Sequence, residues 1–252
     1  MFIFFCHYRT DRGVHSFCNI AHVDIEHYRK GFVHSPGEVQ KRLNQYFKKT
    51  DCSVAVTQVQ AVPSTFISRY AASSRHYMYR LALTKSNLHP IIEWKKCHFI
   101  QEPFCLEKGK QVCELFIGRK NYASFCHKLI DLPPDYPTVR TIDEFTILPG
   151  RGLLDSSYDP LYNDLHFYEI HVKARAFMYR QVRRMVSVLI AAAKDQMTIE
   201  EVQELFNKPG TWNPKAHTAP AHGLYLLDVN YEIPEDEPVE PAQVETMQSS
   251  ES

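Results

Sequence analysis

In Tyr8-Arg9-Thr10-Asp11-Arg12-Gly13-Val14-His15-Ser16 a short polar loop follows directly on an apolar run. That run, Phe2 to Phe5, reads as a buried strand, and a strand that ends in a polar, glycine-containing turn is a strand-to-loop junction. Ile20 to Ile25 reads as a second short strand. Asp11 sits close to Arg9, and a carboxylate beside a guanidinium can serve as nucleophile, base or ligand. Gly13 would let the backbone turn sharply. The same residues also fit an Asx-turn in which Asp11 only caps the loop. His7, His15 and His22 match no standard metal-ligand spacing and read as loop or surface histidines.

Further along, Pro36 opens a helix in which Val39, Leu43, Tyr46 and Phe47 recur at helical spacing. Val54–Val62 and His76–Leu83 are expected strands. In the second, Tyr77, Tyr79, Leu81 and Leu83 share one face. Tyr77 and Tyr79 fit either a sheet-face aromatic or a ring that stacks on a base. A helix is expected over Cys105–Ile117, stopped at Gly118, and a strand near Thr141–Leu148 inside an otherwise loop-rich stretch. Leu165–Ala174 is a further strand. The clearest helix spans residues 178 to 193, with Met178, Val182, Met185, Val186, Leu189, Ile190 and Ala193 on one side. Arg180, Arg183, Arg184 and Ser187 lie on the other side at spacings that cluster them. No acid stands between Arg175 and Lys194, so these arginines lack partners within the helix. They are free for phosphate or for a distant carboxylate. Thr198 and Glu201 fit a capping box for a helix ending before Pro209-Gly210, and Leu224–Tyr231 is a last strand. This mixture of strands and helices predicts an α+β fold with mainly antiparallel sheets.

The chain has 252 residues, 44% apolar and 23% charged, which excludes collagen, coiled coil and wholesale disorder. Its 29 basic and 29 acidic residues cancel, but seven of the acids fall within 232–252, where there is no Lys or Arg. Residues 1–231 therefore carry 29 basic against 22 acidic residues, an excess of seven that suits a polyanionic partner. The segment from Pro234 is rich in Pro and Glu, lacks aromatics and is expected to be disordered. Seven scattered cysteines with no C-x-x-C pair read as reduced thiols of an intracellular protein. Met1 to Cys6 is too short for a signal-peptide core, and no apolar run approaches the roughly 20 residues of a membrane span. The expected location is cytoplasmic or mitochondrial, without a targeting peptide in this chain.

The segment Arg9-Thr10-Asp11-Arg12-Gly13-Val14-His15-Ser16 resembles the R-T-D-x-G-V-H-[AS] motif of the TruA-type tRNA pseudouridine synthases. Four more segments resemble that family in the same order: Arg75–Tyr79, Gly118–Phe125, Phe177–Met185 and Ala219–Leu226. The overall character is similar to the eukaryotic pseudouridine synthase-like branch. The resemblance implies a pseudouridine synthase fold of two similar sheet-bearing subdomains around a basic cleft, here divided as 1–90 and 91–231, with the tail at 232–252. It implies isomerisation of uridine to pseudouridine in tRNA, in or near the anticodon stem-loop, without metal or organic cofactor. A homodimer is implied by the bacterial members, and no membrane is involved.

Residue by residue, the resemblance makes Asp11 the nucleophile and Arg183 its partner. Tyr77 packs on the target base, Arg9 helps displace and hold the flipped nucleotide, and Leu224 belongs to the pocket floor. Arg180, Arg184, Arg119 and Lys120 are expected phosphate contacts. The reaction breaks the N-glycosidic bond, turns the uracil and joins C5 to C1′, and a carboxylate could attack C1′ or remove a ribose proton. The uridine must leave its stack, which costs a few kcal/mol, and aromatic stacking returns about 1–3 kcal/mol per base.

The chain departs from the family in carrying Tyr8 where Gly or Ser is usual and Arg12 where Ala is common. Only ten residues precede Asp11, so the first subdomain is expected to lack the family's initial strand and helix. The alternative expectation is a catalytically impaired RNA-binding relative or a truncated isoform. A hydrolase using Asp11 and the nearby histidines is a third class.

Overall fold

A computed structural model of the chain describes residues 2–5 (backbone only), 10–25, 34–63, 65–127 and 131–232. In chain order its elements begin with strands β1 (Phe2–Phe5), β2 (His15–Ser16) and β3 (His22–Ile25), then helices α1 (Pro36–Lys49) and α2 (Ser68–Ala71). Strands β4 (Ala72–Thr84) and β5 (His98–Gln101), helix α3 (Leu106–Phe116), and strands β6 (Gly118–Asn121), β7 (Val139–Ile142), β8 (Glu144–Pro149) and β9 (His166–Ala174) follow. Helices α4 (Gln181–Ala193) and α5 (Ile199–Asn207) and strand β10 (Leu224–Tyr231) complete the described chain. The α+β class read from the sequence is the class observed. Two compact units are present, one from residues 1–7, 21–71 and 232–252 and the other from 8–20 and 72–231.

In the first unit β1 pairs antiparallel with β3, Phe2 facing Ile25. Helix α1 starts where expected: the Ser35 side chain accepts from the Glu38 N–H at 3.3 Å and Pro36 takes the first turn, where its missing N–H costs nothing. The strand expected at Val54–Val62 is absent. Side chains of α1 take up backbone groups that a ladder would have used. Asn44 accepts from the Val56 N–H at 2.7 Å and donates to its carbonyl at 2.9 Å, and Gln40 donates to the Thr57 carbonyl at 2.8 Å. The expected disordered tail falls almost wholly on 233–252, outside the described residues.

In the second unit β4 is the central strand. One side pairs antiparallel with β9 from Arg75 to Leu83; the other pairs with β10 near its start and, in parallel, with β5 at Leu81–Thr84. Strand β8 extends the sheet beyond β9, and β2 joins β10 in parallel. Tyr79, Leu81 and Leu83 point to the face covered by α3, α4 and α5, as their period of two predicted. Phe116 of α3 lies there with its ring 4.9 Å from Phe125, 5.1 Å from Phe145 and 5.3 Å from Phe206. Truncating such a residue to Ala costs about 3–5 kcal/mol.

Three boundaries differ from expectation. A division at residue 90 would separate β4 from β9 and β10, with which it forms the sheet, and among the described residues the two units are unequal rather than similar. The strand near Thr141–Leu148 is two strands. At Asp143, whose N–H bonds the Lys173 carbonyl at 2.8 Å, the chain leaves its pairing with β6 and joins β9. Helix α4 starts at Gln181 and not at 178, because Arg180 takes a left-handed conformation (φ 57°). The Met178–Gln181 turn fixes that start: Gln181 N–H donates to the Met178 carbonyl at 3.0 Å, and its side-chain oxygen accepts from Met178 N–H at 2.9 Å.

Candidate active site

The Asp11 loop is tied within the second unit by bonds that follow Asp11. Val14 N–H donates to the Asp11 carbonyl at 3.0 Å, closing a turn through Gly13. Gly13 has φ +84°, where any side chain would be strained, and its α-carbon faces Ala221. Strand β2 then locks onto β10, and Phe17 N–H donates to the Leu226 carbonyl at 2.9 Å.

Arg183, in the first turn of α4, reaches the loop from 172 residues away and donates from Nη1 to Asp11 Oδ2 at 3.1 Å. Its Nε donates to the Ala219 carbonyl at 2.7 Å, while Ala219 N–H bonds the Arg183 carbonyl at 3.3 Å. One guanidinium thus joins the loop to the segment before β10. The two side chains are 12% and 26% exposed, enough to shield the pair from much of the solvent while leaving a carboxylate oxygen reachable. A hydrogen bond to a charged group is worth about 1.5–3 kcal/mol.

Beside this pair opens a pocket of about 200 Å³. Asp11, Arg183 and Arg180 give it a polar side; Tyr77, Phe177 and Leu224 give it an apolar one. Tyr77 meets Phe177 edge-on at 5.4 Å. Burial is the main influence that raises the Tyr77 phenol above its ordinary pKa, followed by the opposing charge of Arg75 and the reinforcing charge of Asp11. The hydroxyl therefore stays a neutral donor at physiological pH. Behind it, the fully buried Tyr79 donates to the Pro220 carbonyl at 3.0 Å. Its ring lies so close to Gly223 that an added Cβ would sit 2.6 Å away, so a glycine is needed for the chain to pass into Leu224.

A family model described as tRNA pseudouridine synthase matches residues 112–232. The tRNA pseudouridine synthase-like 1 proteins of Homo sapiens and Mus musculus are 32% and 31% identical to the chain. They align with 88% and 89% of it and with 73% and 76% of their own lengths. The chain belongs to the tRNA pseudouridine synthase family. It is also 26% identical to tRNA pseudouridine synthase A of Agrobacterium fabrum, over 88% of the chain and 74% of that protein. It is accordingly an isomerase that forms pseudouridine in tRNA.

In this tRNA pseudouridine synthase the residues expected to serve the site are not all brought together. Asp11, Arg183, Tyr77, Leu224 and Arg180 line one pocket. Arg9 lies outside the described residues. Arg180 places its Nη1 3.2 Å from His127 Nε2 and its guanidinium over the Tyr179 ring at 4.9 Å, and its Nε meets no acceptor among the described residues. Arg119 is exposed on β6. Arg184 corrects the expectation of a phosphate contact: its Nη1 donates inward to the carbonyls of Ser124 (3.0 Å) and Cys126 (2.7 Å), and it stacks over Trp212 at 4.1 Å. Burial accordingly lowers its pKa. Lys120 is likewise turned inward, to the Leu115 carbonyl and over the Phe206 ring at 5.4 Å. Phe177, Val14 and the Ala219 carbonyl were missed as site groups, although each lies inside a segment whose sequence already stood out. Among the described residues no three or more His, Cys, Asp or Glu are arranged to hold a metal ion. No helix there is long and apolar enough to cross a membrane.

Proposed function

We propose that Asp11 is the nucleophile of the isomerisation and that the target uridine lies in or near the anticodon stem-loop of tRNA. The observation that carries this reading is the Asp11–Arg183 pair at 3.1 Å on the polar side of a pocket whose other side is aromatic and aliphatic. A flipped uracil placed there has Tyr77 against it and Leu224 beneath it, and its ribose lies toward Asp11. Asp11 attacks C1′ and the N1–C1′ bond breaks. The freed uracil, held by the pocket, turns to present C5, and the C5–C1′ bond forms as Asp11 leaves; the C5 proton passes to solvent, and N1, which carries none in uridine, takes one up. Arg183 orients the carboxylate throughout. Arg180 at the pocket and Arg119 on β6 meet backbone phosphates, where charge dominates affinity. The anticodon region is supported by the likeness to TruA-type enzymes alone.

The test is tritium release from tRNA labelled at uridine C5, with the product position mapped by reverse transcription after carbodiimide treatment. Release with a single new pseudouridine in the anticodon arm is expected. Binding without release would make the chain an RNA-binding relative, and a product elsewhere in the tRNA would overturn the position.

A further inference from the structure

His15 belongs to the same loop motif as Asp11 yet takes no part in the pocket. The register explains why. Leu224 and Leu226 of β10 stand opposite Tyr79 and Tyr77 and share their face, whereas His15 stands opposite Tyr225, which points to the other face of the sheet. On that face the His15 and Tyr225 rings stack at 4.5 Å and 20°, and Phe17 stacks on Tyr225 at 5.5 Å and 19°.

Both stacked residues also fasten to one turn. His15 Nε2 lies 2.9 Å from the Lys95 carbonyl; a carbonyl only accepts, so this nitrogen carries the proton. The Tyr225 hydroxyl donates to the Lys96 carbonyl at 2.6 Å. The turn is itself built rigidly. Lys95 is held in a left-handed conformation at φ 56°, and Lys96 N–H bonds the Glu93 carbonyl at 2.9 Å. The Glu93 carboxylate, wholly buried, accepts from Arg80 Nη1 at 2.9 Å, Leu153 N–H at 2.5 Å and the Tyr162 hydroxyl at 3.1 Å. Arg80 also donates to the Lys96 carbonyl at 3.0 Å and the Arg151 carbonyl at 2.9 Å. A buried ion pair therefore holds the Lys96 carbonyl directly, and the Lys96 N–H bond to the Glu93 carbonyl fixes the peptide group that carries the Lys95 carbonyl.

We propose that His15 and Tyr225 are positioning residues that pin the Asp11 loop from the back of the sheet, so that Asp11 meets Arg183 before tRNA binds. Between His15 and Asp11 lie only Val14, whose N–H holds the Asp11 carbonyl, Gly13 and Arg12. Any slack at His15 is passed directly to the carboxylate. This role rests on Asp11 acting in catalysis.

His15→Phe keeps a stacking ring and loses the bond. Its single-turnover rate at saturating enzyme should fall by about tenfold or more, with tRNA affinity and melting temperature close to the parent's. His15→Gln, whose amide can still donate to the Lys95 carbonyl, should recover most of the rate. Tyr225→Phe removes one oxygen and covers the case in which His15→Phe does not fold. It should slow the saturated step and speed hydrogen exchange at the Val14 amide while leaving exchange in α4 unchanged. A normal rate and normal Val14 exchange would overturn the proposal, as would a parallel fall of rate, affinity and melting temperature with no recovery in His15→Gln. The two readings fail separately. Turnover in Asp11→Asn removes the Asp11 assignment, whereas an inactive Asp11→Asn beside a fully active His15→Phe removes only the positioning role.

Discussion

Replacing Arg183 with Met isolates what the guanidinium does, because the side chain keeps its length and apolar stem. Two bonds are lost, Nη1 to Asp11 at 3.1 Å and Nε to the Ala219 carbonyl at 2.7 Å. The first is charge-assisted and worth about 1.5–3 kcal/mol. If that energy serves to orient Asp11 in the transition state, its loss slows the chemical step by roughly ten- to 150-fold. The second leaves a partly enclosed carbonyl without its donor, a cost of about 1–3 kcal/mol in stability, or several degrees in melting temperature. Arg183→Lys keeps the charge but cannot serve two acceptors with one rigid fork, so its rate should fall between those of the parent and Arg183→Met. The assay is tritium release in a single turnover at saturating enzyme, with the tRNA dissociation constant measured separately. A saturated rate for Arg183→Met within about twofold of the parent, with only affinity lost, would refute the reasoning and make Arg183 a phosphate contact.

Arg184→Met should lower the melting temperature, because the carbonyls of Ser124 and Cys126 lose their donor and Trp212 its cation. The salt dependence of tRNA binding should keep its slope, and a slope reduced by about one ion would mean that Arg184 meets phosphate after all. His98 has its pKa lowered to about 4, mainly by burial and then by the charges of His222 and Lys194. With the folded pKa below the unfolded value of 6.5, unfolded chains bind the extra proton, so stability is full above pH 6.5 and falls as pH drops toward 4. About 2 kcal/mol should be gone between pH 7 and pH 5, and urea titrations of His98→Gln should show that slope flattened; an equal slope in the variant would place the acid sensitivity elsewhere.

Much of this arrangement was legible in the residues themselves. The capping box of α5 is observed with both of its bonds, because cap chemistry is local. The face of β4 was legible because successive side chains of a strand point to opposite faces, although both faces are buried from Met78 to Thr84. The start of α4 was not, since Arg180 is held left-handed by bonds between Met178 and Gln181 that no periodicity reports. Nor was the fate of Val54–Val62, where Asn44 and Gln40 compete for the backbone from a neighbouring helix. The absence of acids around Arg184 was read as freedom for phosphate, but its acceptors are main-chain carbonyls, which a sequence does not display. For Asp11 the residues alone favoured a loop cap over a catalytic carboxylate. The motif resemblance favoured the second and named Arg183 as its partner, and the fold brings the two within 3.1 Å across 172 residues.

The central claim is that Asp11 carries the reaction, and Asp11→Asn tests it most directly. The change alters charge and basicity while hardly changing shape. The amide can still accept from Arg183 and the loop keeps its Val14 bond to the carbonyl. Pseudouridine formed per enzyme should be counted by tritium release over many half-lives of the parent reaction, beside tRNA affinity at the same salt. The account predicts no detectable turnover with affinity nearly intact. Turnover within about tenfold of the parent would contradict it, because a carboxylate that bonds to C1′ has no substitute in an amide.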